Sequence, residues 1–184
     1  MYNKISRRIK TPIIIVDHKV IFSGYEDILP VFNSLSIENC LYRIPDLSEN
    51  FVYFNDDFFL MRPIKPSDWF RDDKAVAYGQ WRSVIIDNFI RKLKPKRKGR
   101  KPFGFRDSML NAAKVAGAKS TYFCIQRTPL PLKRSILEHF YSQHSGYFSK
   151  NISPKFRNNR QFNPQALFYL LAFKSGNSVQ ESEK

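Results

Sequence analysis

Apolar positions along this chain fall into short blocks, and the spacing within each block assigns an element. Ile13-Ile14-Ile15-Val16 after Pro12, Phe51-Val-Tyr-Phe54, Lys74-Ala-Val-Ala-Tyr78 and Tyr122-Phe-Cys-Ile125 are brief β-branched or aromatic runs. Such runs predict buried strands. Longer segments carry apolar residues at helical spacing. Leu35, Ile37 and Leu41 follow a cap at Asn33 or Ser34 and predict a helix to about Tyr42. Val84, Ile85, Phe89 and Ile90 predict another within 80–90. Met109, Leu110, Ala113 and Val115 predict one over 105–118, capped by Asp107 or Ser108 and ending near Gly117. Ile136, Leu137 and Phe140 predict one over 133–141. Asn163-Pro164, a cap followed by proline at the first helical position, opens a last helix through Phe173 that Gly176 closes. Between these, 126–131 with its two prolines reads as an extended loop and 142–163 as a polar loop. Strands alternating with helices predict an α/β fold with a mainly parallel sheet. His18 falls at the end of the first strand, where a surface or paired histidine is the simpler assignment than a ligand.

Composition sharpens this picture. The 184 residues suit one domain over 1–176, with a disordered tail over 177–184. An apolar fraction of 42 % argues against general disorder. The two cysteines, Cys40 and Cys124, match no zinc or redox spacing and read as small buried hydrophobes in a reducing compartment. No apolar run reaches membrane-spanning length, and the basic start lacks a signal-type core, so a cytoplasmic location is expected, peripheral at the inner face of the membrane where lipid is a partner. The net charge of +15 favours anionic partners. It peaks in the loop 91–101, where eight of eleven residues are Lys or Arg and none is acidic. No aromatic residues interleave that block, which disfavours nucleic acid and leaves an anionic acceptor or a membrane surface.

The chemistry concentrates where the Phe51 run stops. Asn55-Asp56-Asp57 follows it at once, and Phe58-Phe59-Leu60 resumes apolar character. Two adjacent carboxylates among aromatics need compensation, because an unpaired buried charge costs several kcal/mol or more. A divalent cation or an arginine supplies it. Acids at a strand end therefore fit hard-cation ligands, or one ligand and one general base. A turn or helix cap carrying the same residues is the plain alternative.

The string Leu29-Pro-Val-Phe-Asn33-Ser34, then Ile37-Glu38, Leu41-Tyr-Arg43-Ile-Pro45, Leu47-Ser-Glu-Asn-Phe51, Tyr53-Phe-Asn55-Asp56-Asp57-Phe58, with Arg62-Pro63 and Asp68-Trp-Phe70, closely resembles the second shared block of the Stealth family. That family comprises bacterial capsular polysaccharide phosphotransferases and the α/β subunit of the animal lysosomal N-acetylglucosamine-1-phosphotransferase. Arg127-Thr-Pro-Leu-Pro-Leu resembles its third block, and Lys155-Phe156-Arg157 a later one.

The resemblance implies transfer of a sugar 1-phosphate from a nucleotide-diphosphate sugar to a glycan hydroxyl in capsular or exopolysaccharide synthesis. The implied sheet is similar to that of GT-A type glycosyltransferases. The implied roles are Asp57 as base, Arg157 and Arg127 as phosphate-neutralising residues, Asp56 with Asp57 as ligands of Mg²⁺ or Mn²⁺, and Asn33, Ser34 and Asn55 as donor contacts. Arg127 stands where the family has histidine, and arginine does not shuttle protons near neutral pH. The family's opening block, around Tyr-Thr-Trp-Val-Asp-Gly, has no counterpart here. The expectation is accordingly a partial transferase domain, completed by a longer reading frame or a partner chain. Two alternatives remain: a sugar-nucleotide-binding fragment without turnover, and a basic polyanion or membrane-surface binder.

Overall fold

The computed structural model describes residues 12–93 and 103–181. Its centre is helix α7 (Pro164–Lys174), apolar on every side, as a helix enclosed by protein must be. Asn163 caps it by accepting from the Ala166 amide at 2.7 Å, with Pro164 in the first turn. Gly176, at φ +73°, lets the chain turn away after it. Ala166, Leu167, Phe168 and Tyr169 have no solvent exposure. Each large side chain among them contributes roughly 1.5–3 kcal/mol of burial.

Around α7 pack α4 (Phe105–Val115), α5 (Arg134–Gln143) and three small sheets. β1 (Asn50–Tyr53) and β6 (Leu130–Lys133) pair antiparallel, from Asn50 opposite Lys133 to Tyr53 opposite Leu130. β2 (Phe70–Arg71) and β3 (Lys74–Ala77) form an antiparallel hairpin, and β7 (Ser178–Gln180) adds to β3 in parallel. β4 (Gly79–Ser83) pairs antiparallel with β5 (Thr121–Ile125). A Cβ at Gly79 would stand 2.3 Å from the Cys124 carbonyl oxygen, so this pairing requires glycine. The remaining α-helices among the described residues are α1 (His18–Ile21), α2 (Ser34–Asn39), α3 (Val84–Leu93) and α6 (Ser145–Ile152). One apolar cluster joins residues from Ile21 to Ala172.

The α/β class holds, but among the described residues three of four strand pairings are antiparallel and only β3–β7 is parallel. Ile13 to Val16 forms no strand. Ile14 and Ile15 are some four-fifths exposed, and no strand among the described residues takes up the segment's backbone groups. His18 consequently opens α1, behind its cap Asp17, and is exposed. The 126–131 loop ends in a strand, since Pro131 sits opposite Val52 and only its missing N–H bars it from a central position. The 142–163 segment contains α6, whose Phe148 and Ile152 are buried. The first half of the helix expected over 80–90 is β4. Part of the expected tail is β7, held by Ser178 donating to the Ala75 carbonyl at 2.7 Å. Of the basic run, 91–93 end α3 and 94–101 lie outside the described residues, as do 182–184. Cys40 is fully buried and its thiol is pushed up to about 12 by burial, while Cys124 is half-buried; both are free thiols.

Candidate functional site

β1 delivers its acids through a tight turn. After Tyr53 the strand ends, and the Phe58 amide donates to the Asn55 carbonyl at 3.2 Å. This closes a turn with Asp56 and Asp57 at its tip, both exposed. Neither carboxylate has a hydrogen bond or ion pair with another described residue. The turn anticipated as the plain alternative is thus present, and it is also what displays the two charges.

The turn forms one wall of a cleft of about 340 Å³. The other walls come from the start of α2 (Ser34, Leu35, Glu38), from Phe105 at the start of α4, from the β5–β6 connection (Gln126, Arg127, Thr128), from Arg157, and from Asn163 and Gln165 at the start of α7. Ser34, Asn55, Asp56, Asp57, Arg127 and Arg157, distributed over more than 120 residues of sequence, therefore line one cavity.

Asn33 does not join them. It is 3 % exposed, accepts from the Leu35 amide as the cap of α2, and donates to Gln161 Oε1 at 2.8 Å and the Pro154 carbonyl at 3.2 Å. Its side chain ties α2 to the loop that carries Arg157. Gln161, 1 % exposed, completes the tie by donating to the Asn151 carbonyl and to Ser36 Oγ at 2.7 and 3.1 Å. Three polar side chains, Asn33, Gln161 and Ser36, linked in this way fix the loop's path. The result is that Arg157 reaches over to donate to Ser34 Oγ at 3.0 Å. Arg127 lies over the Phe105 ring at 5.2 Å, a cation–π contact that holds its guanidinium at the cleft.

Four residues of the cleft, Glu38, Tyr53, Gln165 and Thr128, were not singled out from sequence. Glu38 lies one turn into α2 and accepts from Tyr53 at 3.0 Å and from Gln165 Nε2 at 3.1 Å. Tyr53 also touches Asn55 Oδ1 in a short contact. Burial first, and the Glu38 charge second, push the Tyr53 hydroxyl far above the ordinary phenol range, so it remains a donor. Gln165 is 3 % exposed and its Oε1 has no hydrogen-bond partner; the Thr128 hydroxyl is likewise buried and unpartnered. Unsatisfied buried acceptors on a cleft wall are places for a ligand's hydroxyl or N–H, since leaving them unpaired costs about 1–3 kcal/mol each. The i, i+4 step that sets Glu38 beside Ser34 was visible in the sequence; the pairing of Glu38 with Tyr53 and Gln165 needed the fold.

Among the described residues no group of three or more His, Cys, Asp or Glu side chains could hold a metal ion. The available donors are the adjacent Asp56 and Asp57 carboxylates. Two hard oxygen donors in an open turn are of the kind a divalent cation takes, with its other ligands from water.

The chain is also similar in sequence to known proteins. Residues 6–78 match the family model described as Stealth protein CR2, conserved region 2. The exopolysaccharide phosphotransferase cps2G of Lactiplantibacillus plantarum is 30 % identical over 164 residues, covering 78 % of this chain and 48 % of that protein. The capsular polysaccharide phosphotransferase fcs1 of Haemophilus influenzae is 32 % identical over 188 residues, covering 92 % and 45 %. The capsular polysaccharide phosphotransferase WcwK of Streptococcus pneumoniae is 45 % identical over 74 residues, covering 40 % and 22 %. The chain spans about half or less of the length of these relatives. No helix among the described residues is long and apolar enough to cross a membrane.

Proposed function

Because the chain belongs to the Stealth family, we propose that its cleft serves transfer of a sugar 1-phosphate from a nucleotide-diphosphate sugar to a hydroxyl of a capsular or exopolysaccharide glycan. The observation that carries this reading is the meeting of Asp56 and Asp57 with Arg127 and Arg157 across one cleft. Phosphoryl transfer asks little covalent chemistry of a protein and much positioning and charge stabilisation. In the proposed step the acceptor oxygen bonds to the sugar-linked phosphorus, the diphosphate bridge breaks, and the nucleoside monophosphate leaves. Asp57 takes the acceptor proton. Arg157, held by Ser34, and Arg127, held on Phe105, neutralise charge on the phosphoryl oxygens. Asp56, with Asp57, would hold Mg²⁺ or Mn²⁺, which supplies charge neutralisation of the diphosphate when bound. Asn55 orients the turn through Tyr53, and Ser34, Gln165 and Thr128 meet donor or acceptor hydroxyls.

A second reading is binding of the sugar nucleotide without turnover. It is favoured by Arg127, which can neutralise phosphate and cannot relay a proton near neutral pH. A GT-A type parallel sheet would need strands beyond β3 and β7, from elsewhere in a longer protein or from a partner chain.

The test is thermal unfolding with UDP-N-acetylglucosamine and Mn²⁺, separately and together, followed by assay of UMP release with a polysaccharide acceptor. Donor at a hundred times its dissociation constant should add about 2.7 kcal/mol of stability. The transferase reading expects stabilisation that needs both donor and metal, loss of it in Asp56→Asn and Asp57→Asn, and acceptor-dependent UMP release. Stabilisation without release selects the second reading. Indifference to donor and metal removes both.

A further inference from the structure

Helix α3 is turned inside out. At 100° per residue its large apolar side chains Ile85, Ile86, Phe89, Ile90 and Leu93 fall within an arc of about 140°. Such a stripe ordinarily faces a core. Here it faces solvent: Ile85 is 70 % exposed, Phe89 61 % and Leu93 66 %. The opposite side is the one that packs, through Val84 and through the helix's only carboxylate, Asp87, 3 % exposed. Asp87 accepts from Arg82 at 2.8 and 3.0 Å and from the Tyr122 hydroxyl at 2.8 Å. The orientation is therefore held by a buried charge network that the apolar stripe takes no part in.

The exposed surface of α3 thus combines a wide apolar stripe with no acid. Lys92, exposed, borders the stripe one position round the helix. In sequence the helix runs directly into the run ending at Lys101, in which eight of eleven residues are Lys or Arg. The whole chain carries +15. An apolar helix face followed in sequence by dense positive charge is complementary to one kind of surface, a bilayer whose headgroups are anionic and whose interior accepts the stripe. A protein partner would have to match both a 140° apolar arc and a large basic excess, and a second copy of this chain would oppose +15 with +15.

We propose that the outward face of α3 seats this protein on an anionic lipid surface, parallel to the membrane plane. This does not rest on the transferase reading, since the donor cleft and α3 share no residue.

The experiment is flotation of the whole chain with vesicles of phosphatidylcholine alone and of phosphatidylcholine with one-third phosphatidylglycerol, at low and high salt. It compares wild type with the double variant Ile86→Ser, Phe89→Ser. Both side chains are exposed, so the variant should keep the wild-type melting temperature, which is measured alongside. The expected result is binding to the anionic vesicles, weakened by salt, with at least a tenfold lower partition coefficient for the variant and no binding of either to phosphatidylcholine. Absence of binding to anionic vesicles overturns the proposal. Equal binding of wild type and variant overturns it too, since the basic residues alone would then suffice. Self-association of wild type that the variant abolishes, measured by sedimentation, would assign the face to a second copy instead.

Discussion

α3 and α7 are nearly equal in length, and the molecule uses them in opposite ways. α7 is apolar all round and lies in the centre, with only its ends polar. α3 has one strongly apolar side and presents it to water. Amphipathic spacing says that a helix has two different faces. It does not say which face the protein takes. In α3 the decision falls to Asp87, whose carboxylate gains three hydrogen bonds by turning inward. A charge-assisted hydrogen bond is about twice as strong as a neutral one, and a bidentate arginine pair fixes direction as well. The apolar side is then left outside for something else to cover.

The contrast breaks most visibly in α7. Phe168→Ala should cost about 3–5 kcal/mol, because the site is fully enclosed and the cavity has few ways to collapse. Denaturant unfolding measures this directly. A loss under 1 kcal/mol would mean that α7 is not the centre of the cooperative unit.

Next in size is the anchor of α3. Asp87→Ala removes the buried carboxylate and leaves the half-buried Arg82 and the buried Tyr122 hydroxyl without their acceptor, at a cost of about 1–3 kcal/mol. The pH dependence follows with a definite sign. The hydrogen bonds from Arg82 chiefly, and that from Tyr122, hold the Asp87 carboxyl below the ordinary range. A depressed folded value means that Asp87 contributes its full stability above the unfolded value of about 3.9 and loses it as pH falls through the folded one. Wild type should therefore lose stability below about pH 4 more steeply than Asp87→Asn. Equal acid slopes for the two would remove Asp87 from the role of anchor.

These anchors also explain what could be read from the sequence. Elements built from local signals were legible: the Asn33 cap of α2, the Asn163-Pro164 start of α7, the strand before Asn55 and the glycine after Lys174 each depend on neighbours a few residues away. Candidate residues were legible through the resemblances at Leu29 to Phe70, at Arg127 and at Lys155 to Arg157, and the fold brings Ser34, Asn55, Asp56, Asp57, Arg127 and Arg157 to one cleft. Pairing was not legible. Ile13 to Val16 has strand composition and no strand partner among the described residues, while Leu130 and Pro131, the end of the two-proline segment 126–131, pair with β1. Nor was the division of labour between neighbours: Asn33 and Ser34 look interchangeable as donor contacts, yet the first is buried under Gln161 and the second faces Arg157. Such choices are set by residues more than a hundred positions distant.

The smallest expected effect sharpens the comparison furthest. Ile85→Ala and Phe89→Ala remove as much apolar bulk from α3 as comparable substitutions remove from α7. Both side chains are more than half exposed. Surface substitutions of this kind stay within about 0.5 kcal/mol. Ile85 should even gain slightly, because alanine is the better helix former by a few tenths of a kcal/mol. The same denaturation measurement that finds a large loss for Phe168→Ala should then find almost none here. A loss above 1.5 kcal/mol at Phe89 would show that the stripe is covered within the molecule, and the inside-out orientation of α3, with everything argued from it, would fall. Near-zero change would leave Ile85 and Phe89 contributing nothing to the fold, which is the condition under which their burial elsewhere becomes their function.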